Sequence, residues 1–380
     1  MPRLRGFAII LLVGLFAAPA LSHAQAELVP DQMSFAKAKV LDISNEKTDI
    51  IPGTETSERS QTVQAEILSG PEKDKTITFE NDYPVQLHDG QVFYLRHTSN
   101  EIDGISAYSV ADPYRLNILI GLGIAFVILA ILFGGMQGIR GLASLCGSIV
   151  LIFYLLIPGI LHGISPIIVA VGVASMIIVL GSYITHGFNR TTSAAVLGMV
   201  VTVLLTGIAS YFVMDAANLS GYTSEDNVYL NFNTRGAINM VGLLFAGIMI
   251  GLLGVLYDSA IGQAIAVEEL FRAGKHHMDR AQVYTRAIRI GREHIGALIN
   301  TLAIAYVGAA LPLLLLIYSS SSGSIAFILN SEIIATEIIR ILIGSIGLIA
   351  AVPITTLIAS YMLAGFVGVG GSGEHHHHHH

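Results

Sequence analysis

The chain has 380 residues, of which 53% are hydrophobic and 12% are charged, and its formal net charge is −7. A typical soluble domain carries about 25% charged residues, so this composition and the mean hydropathy of +0.67 exclude an ordinary soluble protein. The sequence has no sustained basic patch with interleaved aromatic residues, so nucleic acid is not an expected partner. Cys146 is the single cysteine, which excludes an intrachain disulfide.

The N-terminus has the pattern of a secretory signal peptide over residues 1–26. Arg3 and Arg5 precede a short apolar run, and Ala24-Gln25-Ala26 is a small-residue cleavage site. An uncleaved first membrane anchor is the alternative, and both cases place residue 27 outside the cytoplasm. At the other end, residues 370–380 have the composition of a linker and His tag, so they are excluded from the argument.

Residues 27–112 are polar and predict a small extracytoplasmic β-rich domain. Five short runs with strand composition, separated by Gly, Pro, Asn and Asp turn signals, are KAKVLDIS, QTVQAEILSG, KTITFEND, GQVFYLRHTS and ISAYSVAD. Five short strands cannot enclose a large core, so the prediction is a β-barrel-like domain of OB or SH3 type. The charged stretch 42–60 is predicted to be a mobile loop between strands.

Residues 113–369 predict a transmembrane helical domain. Seven apolar segments follow one another at about 116–134, 141–161, 165–185, 193–214, 237–257, 295–318 and 337–366. Each is close to or above the ~20 residues needed to cross the hydrocarbon core, and backbone groups inside lipid are satisfied within helices. The predicted fold class is therefore a mainly α-helical polytopic membrane protein, with about seven transmembrane helices after signal cleavage and a small N-terminal β-domain.

The charge distribution predicts the orientation of these segments. An outside N-terminus places eight basic residues in the cytoplasmic turns: Arg140, Arg190, Arg272, Lys275, Arg280, Arg286, Arg289 and Arg292. The opposite loops, 158–164, 215–236 and 319–336, hold only Arg235. The positive-inside rule thus agrees with the signal peptide and predicts a cytoplasmic C-terminus.

The fifth segment is too long for one simple span. Residues 237–270 would extend ~51 Å as a helix, against a hydrocarbon core of ~30 Å, so the helix either enters the cytoplasm or breaks near Gly251, Gly254 or Asp258. Four residues at i, i+3, i+7 and i+11 share one face: Gly251, Gly254, Asp258 and Gly262. The glycines are expected to admit a neighbouring helix. Asp258 is either the ionisable centre of a functional site or a simple marker of the helix end, and Glu269 lies nearly in line with it.

The basic stretch after this segment predicts an amphipathic helix on the inner membrane surface, because Val283, Ala287, Ile290 and His294 recur at helical spacing. A solvated linker that only sets the topology is the alternative. His276 and His277 are adjacent and have no Cys or carboxylate cluster beside them, so no metal site is expected there.

The last two segments contain polar and helix-breaking residues. In the sixth segment, one face carries Glu293, Gly296 and Asn300, Thr301 follows, and Gly308 and Pro312 are candidate packing or hinge positions. A buried Asn300 needs hydrogen-bond partners, either in another helix or at Asp258. In the seventh segment Pro353 removes a backbone hydrogen bond, which permits a structural kink or a hinge.

These residues resemble the YibE/F-like family of bacterial membrane proteins. The resemblance is carried by GVLYDSAIGQAIAVEEL, by GREHIGALINTLAIAYVGAALPLLLL and by the approach ISAYSVADPYR, and it covers essentially the whole mature chain. Asp258 and the run Asn300-Thr301-Leu302 match the family pattern, whereas Gly262 and Gln263 depart from it, so no serine role carries over to position 262. The resemblance implies the topology, a bacterial inner-membrane location and a candidate site, without a substrate.

Three functions are compared. A transporter or channel for a small solute or ion, proton-coupled through Asp258, is the first, and its candidate polar site is Asp258, Ser259, Glu269, Glu293, Asn300 and Thr301. The alternative is a membrane-anchored sensor or assembly scaffold acting through the β-domain. An intramembrane enzyme is not expected, because the sequence lacks paired intramembrane aspartates, HExxH and a phosphate-binding loop. No cofactor, metal or catalytic residue is predicted; the expected partners are the bilayer and the solute, and small-residue faces permit homo-oligomers.

Overall fold

The computed structural model describes residues 32–50, 57–82, 85–100, 105–274, 278–320 and 324–364. The predicted signal peptide, the tag, Lys275, His276 and His277 lie outside these residues. The chain divides into two compact units between Leu129 and Ala130.

The first unit contains an antiparallel half-barrel sheet, as the strand pattern predicts. Its strands are β1 (Gln32–Ile50), β2 (Ser57–Ile67), β3 (Thr76–Asn81), β4 (Val92–Asn100) and β5 (Ile105–Pro113). Their spatial order is β3-β2-β1-β4-β5, so the long first strand is central and pairs with β2 and β4. Alternating burial along β3 shows that one face of the sheet covers the core.

The prediction of a mobile loop over 42–60 is wrong for most of that stretch. β1 continues to Ile50 and pairs with β2 down to Ser57, with register shifts after Val40 and after Ser44. Backbone hydrogen bonds along this ladder satisfy the polar main chain despite the charged side chains, and bulges of this kind let a strand bend sharply.

A buried amide fastens a loop to the sheet core. The side-chain oxygen of Gln61 accepts hydrogen bonds from the backbone N–H of Leu87 at 2.9 Å and from the amide of Asn81 at 3.2 Å. Gln61 is 2% exposed, so these partners offset the cost of burying its polar atoms. Leu87 is thereby held in the core that the inner face of the sheet covers.

The helices begin with α1 (Leu116–Leu151), which is followed by a π-helical turn, Ile152–Leu156. The remaining helices are α2 (Ile157–Leu161), α3 (Pro166–His186), α4 (Arg190–Ala216), α5 (Glu225–Asn233), α6 (Met240–Ala273), α7 (Arg280–Ala309), α8 (Leu311–Ser320), α9 (Ile325–Asn330) and α10 (Glu332–Leu363). Small and polar residues such as Thr202, Thr206 and Thr356 are buried among the apolar ones where α4, α6 and α10 pack.

α1 contains a sharp break at Gly135, where φ is 53° and ψ is −135°. A β-carbon added at Gly138 would overlap the carbonyl oxygen of Ala130, although eight residues of straight helix span ~12 Å. The chain therefore folds back on itself here. The break falls at the start of the predicted turn 135–140, and helical backbone resumes directly after it.

The described residues contain five helices long and apolar enough to cross a membrane, and a sixth if one bent pair is counted. Seven separate segments were predicted. The difference arises because the first two form the single stretch Leu116–Leu161 around Gly135, and because the sixth is the pair α7–α8, bent by 61°. Pro312 lies at the second position of α8, where its missing N–H leaves no hydrogen bond unmade.

The two other predicted breaks do not interrupt their helices. α6 is one continuous helix of 34 residues, so the alternative of a break near Gly251, Gly254 or Asp258 is wrong. α10 also continues through Pro353. The helical backbone of both elements is supported by packing on each other and on α4.

The basic stretch forms the first half of α7, which begins with a capping box between Asp279 and Gln282. It is an amphipathic helix, but its buried stripe is Val283, Ala287 and Gly291, whereas two of the four predicted stripe residues, Ile290 and His294, are exposed. A position on the inner membrane surface stays a prediction. Gln263 of α6 explains the shift, since its buried side chain donates a 2.8 Å hydrogen bond to the carbonyl of Ala287. The close approach needs Gly291, where an added β-carbon would lie 2.8 Å from the Gln263 amide oxygen.

Candidate functional site

A cleft of about 410 Å³ lies between the C-terminal half of α1, α3 and α6. Its lining is Gly141, Ser144, Leu145, Ser148, Ile152, Ile177, Ile178, Gly181, Thr185, Ile250, Leu253, Gly254, Tyr257 and Asp258. The volume is within the usual range of ligand pockets, about 300–1,000 Å³. Asp258, the carboxylate singled out from the sequence, is therefore part of a cavity and not an isolated helix end.

Two contacts set α3 and α6 parallel, in a constant register. At one end, a β-carbon added at Gly242 would lie 3.2 Å from the ring of Pro166. Fifteen residues further along each helix, the hydroxyl of Tyr257 donates a 3.3 Å hydrogen bond to the carbonyl oxygen of Gly181. Since both pairs are 76 residues apart, positions along the two helices advance together, and Asp258 lies beside the last turn of α3.

Gly181 is the point at which the three helices meet. A β-carbon there would lie 2.8 Å from the hydroxyl oxygen of Ser144 and 3.9 Å from the ring of Tyr257. Ser148 donates a 2.9 Å hydrogen bond to the carbonyl of Ser144, so its hydroxyl stays on its own helix. The absence of a side chain at 181 thus permits both neighbours to approach.

The polar and apolar groups of the cleft are separated along its length. Thr185, Tyr257 and Asp258 occupy one end of the lining of α3 and α6, whereas Ile177 and Ile250 lie about two turns away. Asp258 is the single charged residue among the described residues that line the cleft. The ring centre of His186, outside the lining, is 6.0 Å from that of Tyr257.

The face predicted for α6 is confirmed as a shared, open face. Gly251, Gly254, Asp258 and Gly262 are all exposed, and on the opposite side Leu252, Leu256, Ser259, Gln263 and Val267 are buried. Ser259 therefore points away from Asp258, and its buried hydroxyl has no hydrogen-bond partner within the described residues. Ser259, predicted to belong to the same polar site as Asp258, is not among the described residues that line the cleft.

The expected packing role of the glycines is corrected for four positions. An added β-carbon at Gly254, Gly262, Gly296 or Gly308 would meet no atom within 4 Å among the described residues. Only Gly251 admits a neighbour, the hydroxyl of Tyr306, which would lie 2.5 Å from the added carbon. At the other four positions the missing side chain leaves space unfilled, and no second helix packs against the glycine among the described residues.

The polar residues predicted on α7 do not join the cleft. Asn300, Thr301 and Glu293 have exposed side chains, and none is among the described residues that line the cavity. Thr301 donates to the carbonyl of Ala297 in its own helix at 2.9 Å. Asn300, for which a hydrogen bond to Asp258 was one of two alternatives, is exposed, and no hydrogen bond joins the two side chains among the described residues. α7 meets α6 before Asn300, where Gln263 donates to the carbonyl of Ala287, and after it, where the Tyr306 hydroxyl lies beside Gly251.

Of the two glutamates that end α6, the structure assigns the interhelical contact to Glu268. Its carboxylate accepts a 2.6 Å hydrogen bond from the hydroxyl of Thr191 at the start of α4 and pairs with Arg272. Glu269, predicted to belong to the polar site, is 64% exposed, lies 3.6 Å from Arg272 and is not among the described residues that line the cleft.

Sequence reasoning missed two further polar contacts. Arg340 forms a 3.1 Å ion pair with Glu337 within α10 and lies 5.9 Å from the centre of the Tyr306 ring. The carboxylate of Glu332 accepts hydrogen bonds from the backbone N–H groups of Ser220 at 2.7 Å and of Gly221 at 2.9 Å. The i, i+3 charge spacing was a readable signal for the first contact; the second joins residues 112 apart.

Within the described residues, no group of three or more His, Cys, Asp or Glu side chains is placed to hold a metal ion. His276 and His277 lie outside those residues.

Comparison with known proteins gives one match. The family model described as YibE/F-like protein matches residues 122–365, which is more than half of the chain and includes the whole cleft. No curated protein and no solved structure matches the chain.

Proposed function

The chain belongs to the YibE/F-like family, and on that premise we propose that it is a membrane transporter or channel for a small solute or ion. The observation that carries the proposal is the cleft of about 410 Å³ that ends at the carboxylate of Asp258. Ionisable groups within apolar helices are costly and are typical of substrate or ion pathways. A carboxylate also loses its charge on protonation, which suits proton-coupled movement.

The proposed topology has seven spans in a bacterial inner membrane, with the N-terminal domain outside and the C-terminus in the cytoplasm. Counting a span on each side of Gly135, and the bent pair α7–α8 as one span, supports the number seven. The apolar side chains of α1 suit contact with lipid, since Leu122 is 67% and Phe133 is 83% exposed. Homo-oligomers are compatible with this surface.

The test is a flux assay in proteoliposomes with a panel of cations, anions and small neutral solutes. Asp258→Asn keeps the shape of the side chain and removes its charge. Glu269→Gln is the matched control, because it makes the same chemical change on the exposed end of α6. We expect a flux that Asp258→Asn abolishes and Glu269→Gln retains; equal leak in all three folded proteins would contradict the proposal.

A sensor or scaffold acting through the β-domain is the second candidate, favoured by a cavity of about 460 Å³ at one end of the sheet. Ile67 and Leu95 form its apolar base, and Glu72 and His97 lie at its polar rim. Tyr108 of β5 donates a 2.8 Å hydrogen bond to Glu72, next to β3. This contact and the strand order support an OB-type barrel, whose open end suits a small ligand.

A further inference from the structure

We propose that the cleft beside Asp258 binds an amphipathic organic cation, that is, an ammonium-like or phosphonium-like group carried on an apolar body. The inference rests on the proposed function and names the chemical class of its substrate. The observation that carries it is that Asp258, Tyr257 and Thr185 lie at one end of the cleft, whereas Ile152, Ile177 and Ile250 line the other end.

The register of the helices gives the cleft two different ends. Because Gly181 lies beside Tyr257, the parallel register places Ile177 beside Leu253, one turn along both helices. Antiparallel to them, α1 contributes Gly141 and Ser144 near the polar end, Ser148 about one turn further along, beside the aliphatic residues, and Ile152 about two turns from Ser144. A ligand seated here therefore contacts hydroxyls and a carboxylate at its head and aliphatic groups along its body.

The charge of the residues that line the cleft favours a positively charged ligand. No Lys or Arg is among the described residues that line the cleft, so an anion would meet the Asp258 carboxylate without a compensating positive group. The ring of Tyr257 lies next to this carboxylate, and an aromatic face beside an anionic group is a favourable environment for an organic ammonium ion.

The apolar half argues against two other solutes. A bare metal cation such as Ca²⁺ requires about six to eight oxygen ligands around one point, whereas the hydroxyls of Ser144, Ser148 and Thr185 are spread along two helices. A neutral polar solute such as a sugar would bury most of its hydroxyls against Ile178 and Ile250, where Ser148 is the one hydroxyl among the described lining residues, which is unfavourable.

Tetraphenylphosphonium and tetraphenylborate test this inference, because they have the same shape and opposite charge. Binding of each to the full chain in nanodiscs is measured by equilibrium dialysis, with protein-free nanodiscs as the control for partition into lipid. We expect saturable binding of the phosphonium cation that weakens at least about tenfold in Asp258→Asn and is unchanged in Glu269→Gln. Tetraphenylborate is expected to show no saturable binding above the lipid control.

The outcomes separate this inference from the proposed function. Equal binding of both ions, or cation binding unaffected by Asp258→Asn, would overturn the inference. Flux of inorganic ions that depends on Asp258, without phosphonium binding, would keep the transport proposal and overturn the inference. Phosphonium binding that depends on Asp258, without flux of any solute, would support the inference and contradict transport. Circular dichroism and gel filtration serve as controls that both variants are folded before binding and flux are compared.

Discussion

The hydroxyl of Tyr257 donates a hydrogen bond of 3.3 Å to the backbone carbonyl oxygen of Gly181. A helical carbonyl has a second lone pair available beyond its intrahelical bond, so Gly181 accepts this contact without losing its own helix. The bond ties α6 to α3 and fixes the residue next to it, Asp258, at the polar end of the cleft.

Removing this hydroxyl should loosen the junction between α3 and α6. For Tyr257→Phe we expect a loss of about 0.5–1.5 kcal/mol in the free energy of unfolding, measured by denaturation of the protein in detergent micelles. Tyr211→Phe is the control, because Tyr211 is 51% exposed and its hydroxyl makes no hydrogen bond within the described residues. Equal losses in the two variants would contradict an interhelical role for Tyr257.

Two glycines of the cleft should respond oppositely to alanine. Gly181→Ala places a methyl group 2.8 Å from the Ser144 hydroxyl, so the helices must separate or Ser144 must rotate, at a cost of about 1–3 kcal/mol. Gly254→Ala meets no atom within 4 Å and lies inside a helix, so it should stabilise by up to about 1 kcal/mol. The same unfolding measurement on both variants gives the sign of the change in the free energy of unfolding. A loss of stability in Gly254→Ala would contradict the open space beside Gly254.

Glu268 should contribute to stability and Glu269 should not. Glu268→Ala leaves Thr191 and Arg272 without their shared acceptor, and we expect a loss of about 1–2 kcal/mol. Glu269→Ala removes a carboxylate that is 64% exposed, so a change below about 0.5 kcal/mol is expected. Thermal unfolding of both variants is measured at equal detergent concentration. A larger loss in Glu269→Ala than in Glu268→Ala would contradict the assignment of the interhelical contact to Glu268.

Acid should weaken the contact that joins Glu72 to β5. Hydrogen bonds from the Lys75 ammonium and from the Tyr108 hydroxyl lower the pKa of Glu72 below its ordinary value of 4.5. A lowered pKa means that the carboxylate stabilises the folded state above the unfolded pKa, and that this contribution is lost as the pH falls through the folded pKa. The affected window is therefore below pH 4.5.

Hydrogen exchange of residues 57–82 in the full chain, corrected for the intrinsic pH dependence of exchange, measures this loss. Wild type should lose protection below pH 4.5, by less than about 1 kcal/mol for so exposed a contact. Glu72→Gln should have lower protection at neutral pH and a flatter acid profile. Identical profiles in the two proteins would exclude Glu72 as the titrating group.

The sequence determined the class of the molecule and most of its elements. Hydrophobic runs of ~20 residues require helices, and the alternating runs before them gave the five strands that the sheet contains. Spacing alone also placed Gly251, Gly254 and Asp258 on one face of α6, because residues three and four apart share a helix face regardless of tertiary structure. Pro312 likewise marked the 61° bend from its local chemistry.

Only the tertiary structure decided which residues of other helices pack against those helix faces. Ser144, Gly181 and Tyr257 come from three helices, and no local pattern brings residues up to 113 positions apart (257 − 144) to one junction. The pairing of Asn300 with Asp258 failed for the same reason: contacts on both sides of Asn300, between Gln263 and Ala287 and between Gly251 and Tyr306, set how α7 packs on α6. Helical periodicity fixes the direction of a side chain around its own axis, whereas the distance and register between axes depend on how small residues and buried hydrogen bonds let the helices pack.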